Sequence, residues 1–300
     1  MPDAARAVGR APDLTAAARP LPWYGWLGVV VMCASEAGML AGVPPFSTWH
    51  TPIAWTGYIL LVDAVVWKRR GSSWLRSARA EFLYLAIASV PLWVIFEMYN
   101  KYFIHNWYYV GLPESLPVRY VGYVWAFATI SPAIFQTGEL IGSLRDRRRP
   151  EAADVRPRAE ALGTAAWVSV GVGVAMLALP IAYPSTYLAA PVWLGFIFLL
   201  DPLNARAGSE SILGDWRQGR RDRLVNLLAA GLFCGLVWEF WNYWAATKWI
   251  YNVPILPEVK LFEMPILGFG GFPPFAVECF TMYVAVRRWI WPFPGRPISL

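Results

Sequence analysis

Two glutamate–asparagine pairs are the residues whose types and spacing best suit chemistry. Glu97 is followed by Asn100 in an apolar, aromatic-rich run, and Glu239 is followed by Asn242 in a second such run. A spacing of three residues places both side chains of a pair on one face of a helix. A carboxyl group removed from water favours its protonated form and can share a proton with a second carboxyl. The pairs therefore predict proton donation to a ligand or cation binding.

Further acids and aromatic rings in the same runs complete the predicted site. The predicted catalytic residues are Glu97, Glu239, Asn100, Asn242, Glu139 and Glu278, and the predicted ligand-binding residues are Trp93, Tyr99, Trp238, Trp241, Trp107 and Trp249. The asparagines are expected to orient the first two carboxyls, and the ring faces could stabilise a cation. The alternative is that Glu97 and Glu239 only hydrogen-bond the ends of their helices to the following loops.

The remaining acids and the histidines carry weaker signals. Asp63 and Asp201 lie close to basic loop residues, which favours a structural role. Glu36 has no counterpart elsewhere in the chain, and His50 and His105 are expected in loops with surface roles. No His or Cys spacing is typical of a metal site, so no metal and no cofactor are predicted.

The acids recur in register, which indicates an internal duplication. The segment from Trp55 to Asp63 resembles that from Trp193 to Asp201 at an offset of 138 residues. The two glutamate–asparagine segments match at an offset of 142, and each is followed by Trp-x-Tyr. Chance similarity between apolar segments rarely keeps acids and amides in register, so we predict two copies of one unit. The site would lie either at the axis between the copies or within one copy alone.

The composition is that of a chain whose surface faces lipid. Charged residues make up 15% of the 300 residues, against about 25% in soluble domains. Aromatic residues make up 16%, and Trp and Tyr favour the membrane–water boundary. The net charge of +6 comes from basic residues in short segments between apolar runs. This pattern indicates membrane orientation and argues against nucleic acid as a partner.

Apolar runs predict the membrane-spanning helices. A bilayer core of about 30 Å requires roughly 20 apolar residues as helix. The eight segments that qualify are Tyr24–Val43, Thr51–Trp67, Glu81–Asn100, Arg119–Leu144, Thr164–Tyr183, Thr186–Leu203, Leu224–Ala245 and Met264–Val286. The fourth contains Pro132 and the eighth contains Pro273 and Pro274, so a kink or a broken helix is expected in each.

The basic residues predict the orientation of these helices. If they alternate across the membrane, the outer loops hold only Lys101, Arg119, Lys248 and Lys260, and the other Lys and Arg residues fall on the opposite side. That distribution follows the positive-inside rule. We therefore predict a multi-pass protein of the cell membrane with both termini in the cytoplasm.

The expected fold is an all-α polytopic membrane helix bundle, with eight transmembrane helices arranged as a 4+4 parallel internal repeat. Its parts are a soluble N-terminal tail (1–22), a first four-helix repeat (23–144), a cytoplasmic linker (145–163), a second four-helix repeat (164–288) and a C-terminal tail (289–300). Because each unit has an even number of helices, both units enter the membrane from the same side.

The repeated motifs resemble parts of the integral-membrane lycopene cyclase domain. That family has an acid–Asn pair at a helix end, then Trp-x-Tyr, then a Gly-Pro helix start with carboxylates. The matching residues are Glu97, Asn100, Trp107 and Tyr109, and again Glu239, Asn242, Trp249, Tyr251, Pro273 and Glu278. The Trp238-Glu239-Phe240 run also resembles fungal-type membrane terpene cyclases. The adjacent acids that the family carries after its proline are missing here. The resemblance implies protonation of a carotenoid-like polyene by membrane carboxyls.

Together these patterns predict an intramembrane acid/base enzyme, cyclase- or isomerase-like, that acts on an isoprenoid or another apolar lipid. One alternative is a proton-coupled transporter of a small molecule or cation. Another is a membrane scaffold protein without a small ligand. Membrane lipids and an apolar lipid substrate are the expected partners, and the oligomeric state stays open.

Overall fold

A computed structural model describes residues 19–145, 159, 161–295, 298 and 300. The predicted N-terminal tail up to residue 18, and residues 146–158 and 160 of the predicted linker, lie outside the described residues. The long helices are α1 (Trp23–Leu40), α2 (Phe46–Arg70), α4 (Arg79–Tyr99), α5 (Leu116–Arg145), α6 (Thr164–Ala182), α7 (Ala189–Arg206), α9 (Asp222–Trp244) and α10 (Phe272–Ala285). Two short helices, α3 (Trp74–Ser77) and α8 (Ile212–Arg217), join α2 to α4 and α7 to α9.

Little of the described chain is extended. Its strands are β1 (Trp107–Val110), β2 (Lys248–Tyr251), β3 (Lys260–Leu261) and β4 (Met264–Pro265). Strand β1 pairs antiparallel with β2, and β3 pairs antiparallel with β4. The predicted all-α bundle is therefore confirmed.

Five helical segments are long and apolar enough to cross a membrane. They are Arg79–Ile104, Thr164–Ala182, Thr186–Arg206, Asp222–Trp244 and Ile266–Ile290. The first of these segments consists of helix α4 and a π-helical turn at Asn100–Ile104 that continues it. These spans support the prediction of a membrane protein.

Helix α2 corrects the predicted surroundings of His50. It begins at Phe46, five residues before the predicted start at Thr51, and a kink with non-helical backbone at Trp49 separates this first turn from the rest of the helix. A proline at a helix start has a preset φ and no amide to satisfy, so Pro45 can precede a helix that the apolar run alone did not reveal. His50 is consequently inside a helix and only 1% exposed. The prediction of a loop position was wrong.

Helices α1 and α6 lie at the edge of the bundle, each packed on the helix that follows it. Their backbones approach closely at glycines. A Cβ on Gly28 would collide with the carbonyl oxygen of Gly57, and a Cβ on Gly173 would lie 2.8 Å from that of Gly195. Their outer faces expose large apolar side chains such as Val30. That surface suits contact with lipid tails.

Helix α5 continues through Pro132 with help from a neighbouring side chain. The Ser131 N–H donates to Ser89 Oγ at 3.1 Å, and Ser89 Oγ donates to the Phe127 carbonyl at 2.6 Å. These backbone groups are four residues apart, the spacing that an undisturbed helix pairs directly. The Ser89 hydroxyl thus binds a donor and an acceptor of this ladder beside Pro132.

The eighth predicted segment is broken where its glycines and prolines cluster. Residues Ile266–Gly271 form a 3-10 helix, and α10 begins only at Phe272 with Pro273 and Pro274 in its first turn. Proline is tolerated there because the first amides of a helix have no intrahelical acceptor. The predicted break is therefore present, and α10 has 14 residues against the 30 of α5.

Asp63 and Asp201 fasten the ends of their helices to the short helices that follow. Asp63 Oδ1 accepts from the Leu75 amide at 2.9 Å, and Asp201 Oδ2 accepts from the Leu213 amide at 2.8 Å. Both aspartates are buried. These contacts agree with the structural role that the sequence favoured for Asp63 and Asp201.

The described part of the C-terminal tail packs back on the bundle. Tyr84 stacks on Phe293 and donates to the Trp291 carbonyl. The Ile298 side chain is 1% exposed, and its amide donates to Glu210 Oε1 at 3.2 Å. Burial alone would raise the pKa of Glu210, but the charge of Arg287, 2.8 Å away, outweighs it and lowers that pKa below its ordinary value.

Candidate functional site

Strands β1 and β2 join the two halves of the chain in a symmetric way. Trp107 pairs with Tyr251, and Tyr109 pairs with Trp249. Trp107 corresponds to Trp249 by the offset of 142 residues, and Tyr109 corresponds to Tyr251. Exchanging the halves therefore reproduces the same pairing, as at a twofold axis. The two Trp-x-Tyr motifs therefore meet in one strand pair.

The two predicted asparagines hold these strands in place. Asn100 Nδ2 donates to the Trp107 carbonyl at 2.7 Å, and Asn242 Nδ2 donates to the Trp249 carbonyl at 2.8 Å. Each amide oxygen accepts from the backbone N–H of the same tryptophan. The asparagines thus bind the strand backbone and act on the neighbouring carboxyls only through it.

Glu97 is held by three donors on a single carboxyl oxygen. Its Oε1 accepts from Trp93 Nε1 at 2.8 Å, from Trp107 Nε1 at 3.3 Å and from the Tyr109 hydroxyl at 2.5 Å. The first donor lies one turn earlier on α4, and the other two lie on β1. Burial disfavours the charged form of this carboxyl, and the three hydrogen bonds favour it. These contacts also tie the helix end to its strand, as the structural alternative expected.

Glu239 has the corresponding position but fewer donors. Its Oε1 accepts from the Tyr251 hydroxyl at 2.7 Å, and Trp249 Nε1 donates to that hydroxyl at 2.8 Å. Its Oε2 is buried without a hydrogen-bond partner among the described residues. The counterpart of Trp93 is Gly235, which has no donor side chain. A fully buried carboxyl with one unpartnered oxygen is costly when charged.

A cavity of about 420 Å³ lies where the two halves meet. Helices α2 and α5 of the first half, α7 and α10 of the second, and strands β1 and β2 contribute to its wall. Its wall includes seven tryptophans: Trp49, Trp55, Trp93, Trp107, Trp193, Trp238 and Trp249. Its volume falls within the range of about 300–1,000 Å³ that is usual for small-molecule sites.

Four of the six predicted ligand-binding aromatics line this cavity, and two do not. Trp93, Trp107, Trp238 and Trp249 belong to the wall. Tyr99 donates to the Leu177 carbonyl, and Trp241 donates to Glu36 Oε1 at 2.7 Å. Neither of these two is part of the wall.

The tyrosines Tyr109 and Tyr251 stand between the cavity and the glutamates. Both tyrosines line the cavity, whereas Glu97 and Glu239 do not. Burial raises the pKa of each tyrosine well above its ordinary value, and the adjacent glutamate raises it further. Sequence reasoning placed both tyrosines in the repeat but not in the site. The signal was available, because Trp-x-Tyr follows each glutamate–asparagine pair.

The second pair of predicted acids occupies two different environments. Glu139 Oε1 lies 4.0 Å from Arg70 Nη1, so a basic side chain approaches it. Glu278 Oε1 accepts from the Phe196 amide at 3.0 Å, and its Oε2 has no hydrogen-bond partner among the described residues. Neither carboxyl is part of the cavity wall.

A cluster around His50 was not predicted. Ser35 Oγ lies 2.9 Å from His50 Nδ1, and Glu36 Oε2 lies 3.9 Å from His50 Nε2. Glu36 also accepts from Trp241, so it joins α1 to α9 across the bundle. His50 had no signal in the sequence because its partners become neighbours only when α1 packs on α2.

No group of three or more His, Cys, Asp or Glu side chains in the described chain could hold a metal ion. Cys33, Cys234 and Cys279 are free thiols. No family model, no curated protein and no solved structure matches this chain.

Proposed function

We propose that the chain crosses the membrane eight times as two parallel four-helix units, with both termini on the cytoplasmic side. Helices α1, α2 and α5 would be the three spans beyond the five apolar ones. They have 18, 25 and 30 residues, and about 20 residues reach across a bilayer core. The repeated aspartate ties and the symmetric strand pairing support two copies of one unit.

We further propose that the protein is an intramembrane acid/base enzyme acting on an apolar, isoprenoid-like lipid. The observation that carries this proposal is the tryptophan-lined cavity between the halves, with a tyrosine–glutamate pair of each half at its wall. Tryptophan faces bind apolar chains and stabilise a cation that forms on them. The cavity also counts against a scaffold without a ligand.

Tyr251 and Glu239 form the better candidate acid. For this step the hydrogen bond from Tyr251 to Glu239 Oε1 would reverse. A protonated Glu239 would then donate to the tyrosine oxygen, and in one concerted transfer the Tyr251 hydroxyl would give its proton to a double bond of the ligand and take the proton of Glu239. The products are a ligand cation faced by the tryptophans and a glutamate carboxylate. The same pair in reverse would remove a proton from a neighbouring carbon. Acid/base groups held in this way contribute about 10²–10⁴-fold to a rate.

The test is turnover in lipid nanodiscs. Purified protein would be incubated with an acyclic polyene, the substrate class that the lycopene cyclase resemblance implies, and products would be separated by chromatography. We expect a cyclised or isomerised product that Glu239→Gln and Tyr251→Phe abolish. Trp216→Phe is a matched control, because this ring lies on α8 and does not line the cavity. No product from the unmodified protein would refute the enzyme.

A proton-coupled transporter is the second candidate, favoured by the fact that both halves line one cavity. Repeat transporters bind their substrates at such an interface. Proteoliposomes with a pH gradient separate the two proposals. Glu239-dependent flux of an unchanged molecule would favour the transporter, and conversion without flux would favour the enzyme.

A further inference from the structure

One charged side chain on the cavity wall has no acidic partner among the described residues. Arg119 lies near the start of α5 and lines the cavity. Its Nε and Nη2 both donate to the Pro113 carbonyl, at 3.1 and 2.8 Å. A neutral carbonyl fixes the guanidinium without cancelling its charge. The other basic residue of the wall, Lys248, is paired with Glu263.

We propose that the ligand is an amphiphile whose anionic headgroup, a phosphate or a carboxylate, is held by Arg119 while its apolar chain occupies the tryptophan-lined cavity. This inference rests on the proposed binding of an apolar lipid and adds the chemistry of its head. A planar guanidinium matches phosphate and carboxylate oxygens in a bidentate way.

The wall changes from charged to apolar along one face of α5. Arg119, Tyr123, Phe127 and Ile130 all line the cavity and lie at spacings that keep them on one helix face. At 1.5 Å per residue, Arg119 and Ile130 are about 16 Å apart along the helix. Tyr123 contacts both Tyr109 and Phe127. A chain anchored at Arg119 therefore runs past the tyrosines into the tryptophan cluster.

The charges around Arg119 favour an anion. The N-terminal end of α5 adds the positive end of its helix dipole. The nearest acid in sequence, Glu114, is exposed and forms no ion pair with Arg119. In the proposed topology only Lys101, Arg119, Lys248 and Lys260 lie on the outer side, and two of these four line the cavity. The positive-inside rule explains basic residues on the cytoplasmic side but not these outer ones. Arg119 and Lys248 therefore lie at this wall without a role in setting the orientation.

The experiment compares probes that share a chain and differ in the head. A prenyl monophosphate, the corresponding prenyl alcohol, a long-chain fatty acid and inorganic phosphate would be titrated into nanodiscs of neutral lipid, with tryptophan fluorescence as the readout. We expect at least one anionic amphiphile to bind about tenfold or more tightly than the alcohol, because a hydrogen bond between charged groups is stronger than one to a neutral hydroxyl.

Substitutions of Arg119 test whether its guanidinium causes the preference for an anionic head. Arg119→Met should abolish the preference, so that the anionic amphiphile binds no more tightly than the alcohol, and Arg119→Lys should retain part of it. Lys101→Met is the matched control, because Lys101 is an outer basic residue that does not line the cavity. It should leave the preference intact.

The outcomes separate this inference from the function on which it rests. Equal affinities for the alcohol and both anionic amphiphiles would overturn the inference and leave the apolar site standing. A preference that survives Arg119→Met would also overturn it. Inorganic phosphate binding as tightly as the amphiphile would replace it with a free-anion site. No binding by any probe would overturn the apolar site as well.

Discussion

The two halves of the molecule place the same residues in the same positions but satisfy them differently. Glu97 accepts three hydrogen bonds on one oxygen, whereas Glu239 accepts one and keeps a buried oxygen without a partner among the described residues. The difference arises because Trp93 is replaced by Gly235 and because Trp249 donates to Tyr251. Glu97 therefore suits holding the strands, and Glu239 suits the proton chemistry that we propose.

The halves differ in a second way, at the helix that follows the paired strands. In the first half α5 has 30 residues, and in the second α10 has 14 and is preceded by short strands and a 3-10 helix. Residues of this shortened region, from Met264 to Phe275, line the cavity opposite α5. This broken segment and α5 thus line the same cavity.

The largest expected effect is a difference in activity between substitutions of the two glutamates. Glu239→Gln should lower turnover of the polyene by about 10³-fold, because an amide cannot supply the proton. Glu97→Gln should lower it by less than about tenfold, since an amide oxygen can still accept from Trp93 and Tyr109. Initial rates in nanodiscs would show this. Equal losses in both variants would contradict a division of labour.

Stability should show the opposite order. Glu97→Leu leaves three donors without their acceptor, whereas Glu239→Leu leaves one. Each such loss costs about 1–3 kcal/mol. We expect Glu97→Leu to lower the free energy of unfolding by about 3 kcal/mol or more, and Glu239→Leu by about 1 kcal/mol. Urea unfolding in mixed micelles measures both, and a more damaging Glu239→Leu would refute the assignment.

A smaller effect on stability tests the contacts made by the two proline-containing helices, α5 and α10. Ser89 bridges the ladder of α5 beside Pro132, and its counterpart Gly231 lets the Phe272 carbonyl approach α9. Ser89→Ala should cost about 1–3 kcal/mol through unsatisfied backbone groups, and Gly231→Ala about 1–3 kcal/mol through overpacking. Thermal unfolding would compare them with Gly171→Ala, where an added Cβ meets open space. A loss in the control as large as theirs would remove both explanations.

The smallest effect concerns the ion pair that holds the C-terminal segment. The pKa of Glu210 is lowered in the folded protein, so its pairing with Arg287 is stabilising above the unfolded pKa of about 4.3 and is lost as the pH falls through the folded value. We expect Trp291 fluorescence to report release of the segment as the pH falls below the unfolded pKa of about 4.3. Glu210→Gln should abolish that acid transition, and its persistence would point to another group.

Much of the helical frame could be predicted from the sequence. Apolar runs of span length locate the long helices, because the bilayer sets their minimum length. The break at Pro273 was predictable, since a proline within a helix removes a hydrogen bond. The extension of α2 through His50 was not, because Phe46–His50 precedes its apolar run.

The candidate site was predictable only in part. The repeated motifs pointed to Glu97 and Glu239 as site residues. They did not show that Tyr109 and Tyr251 lie between these glutamates and the cavity. The sequence did not predict Arg119 as a binding residue, because segments distant in sequence form the cavity wall on which it lies. Pairing of β1 with β2 joins residues more than 130 positions apart, and no local pattern specifies such a contact.

The most direct test of the account is the protonation state of Glu239 at neutral pH. Infrared difference spectra between the unmodified protein and Glu239→Gln, taken in nanodiscs, report the carbonyl stretch of a protonated carboxyl separately from the carboxylate bands. The account predicts loss of a protonated-carboxyl band in Glu239→Gln and of carboxylate bands in Glu97→Gln. Carboxylate bands lost from both variants would contradict the claim that Glu239 holds the proton.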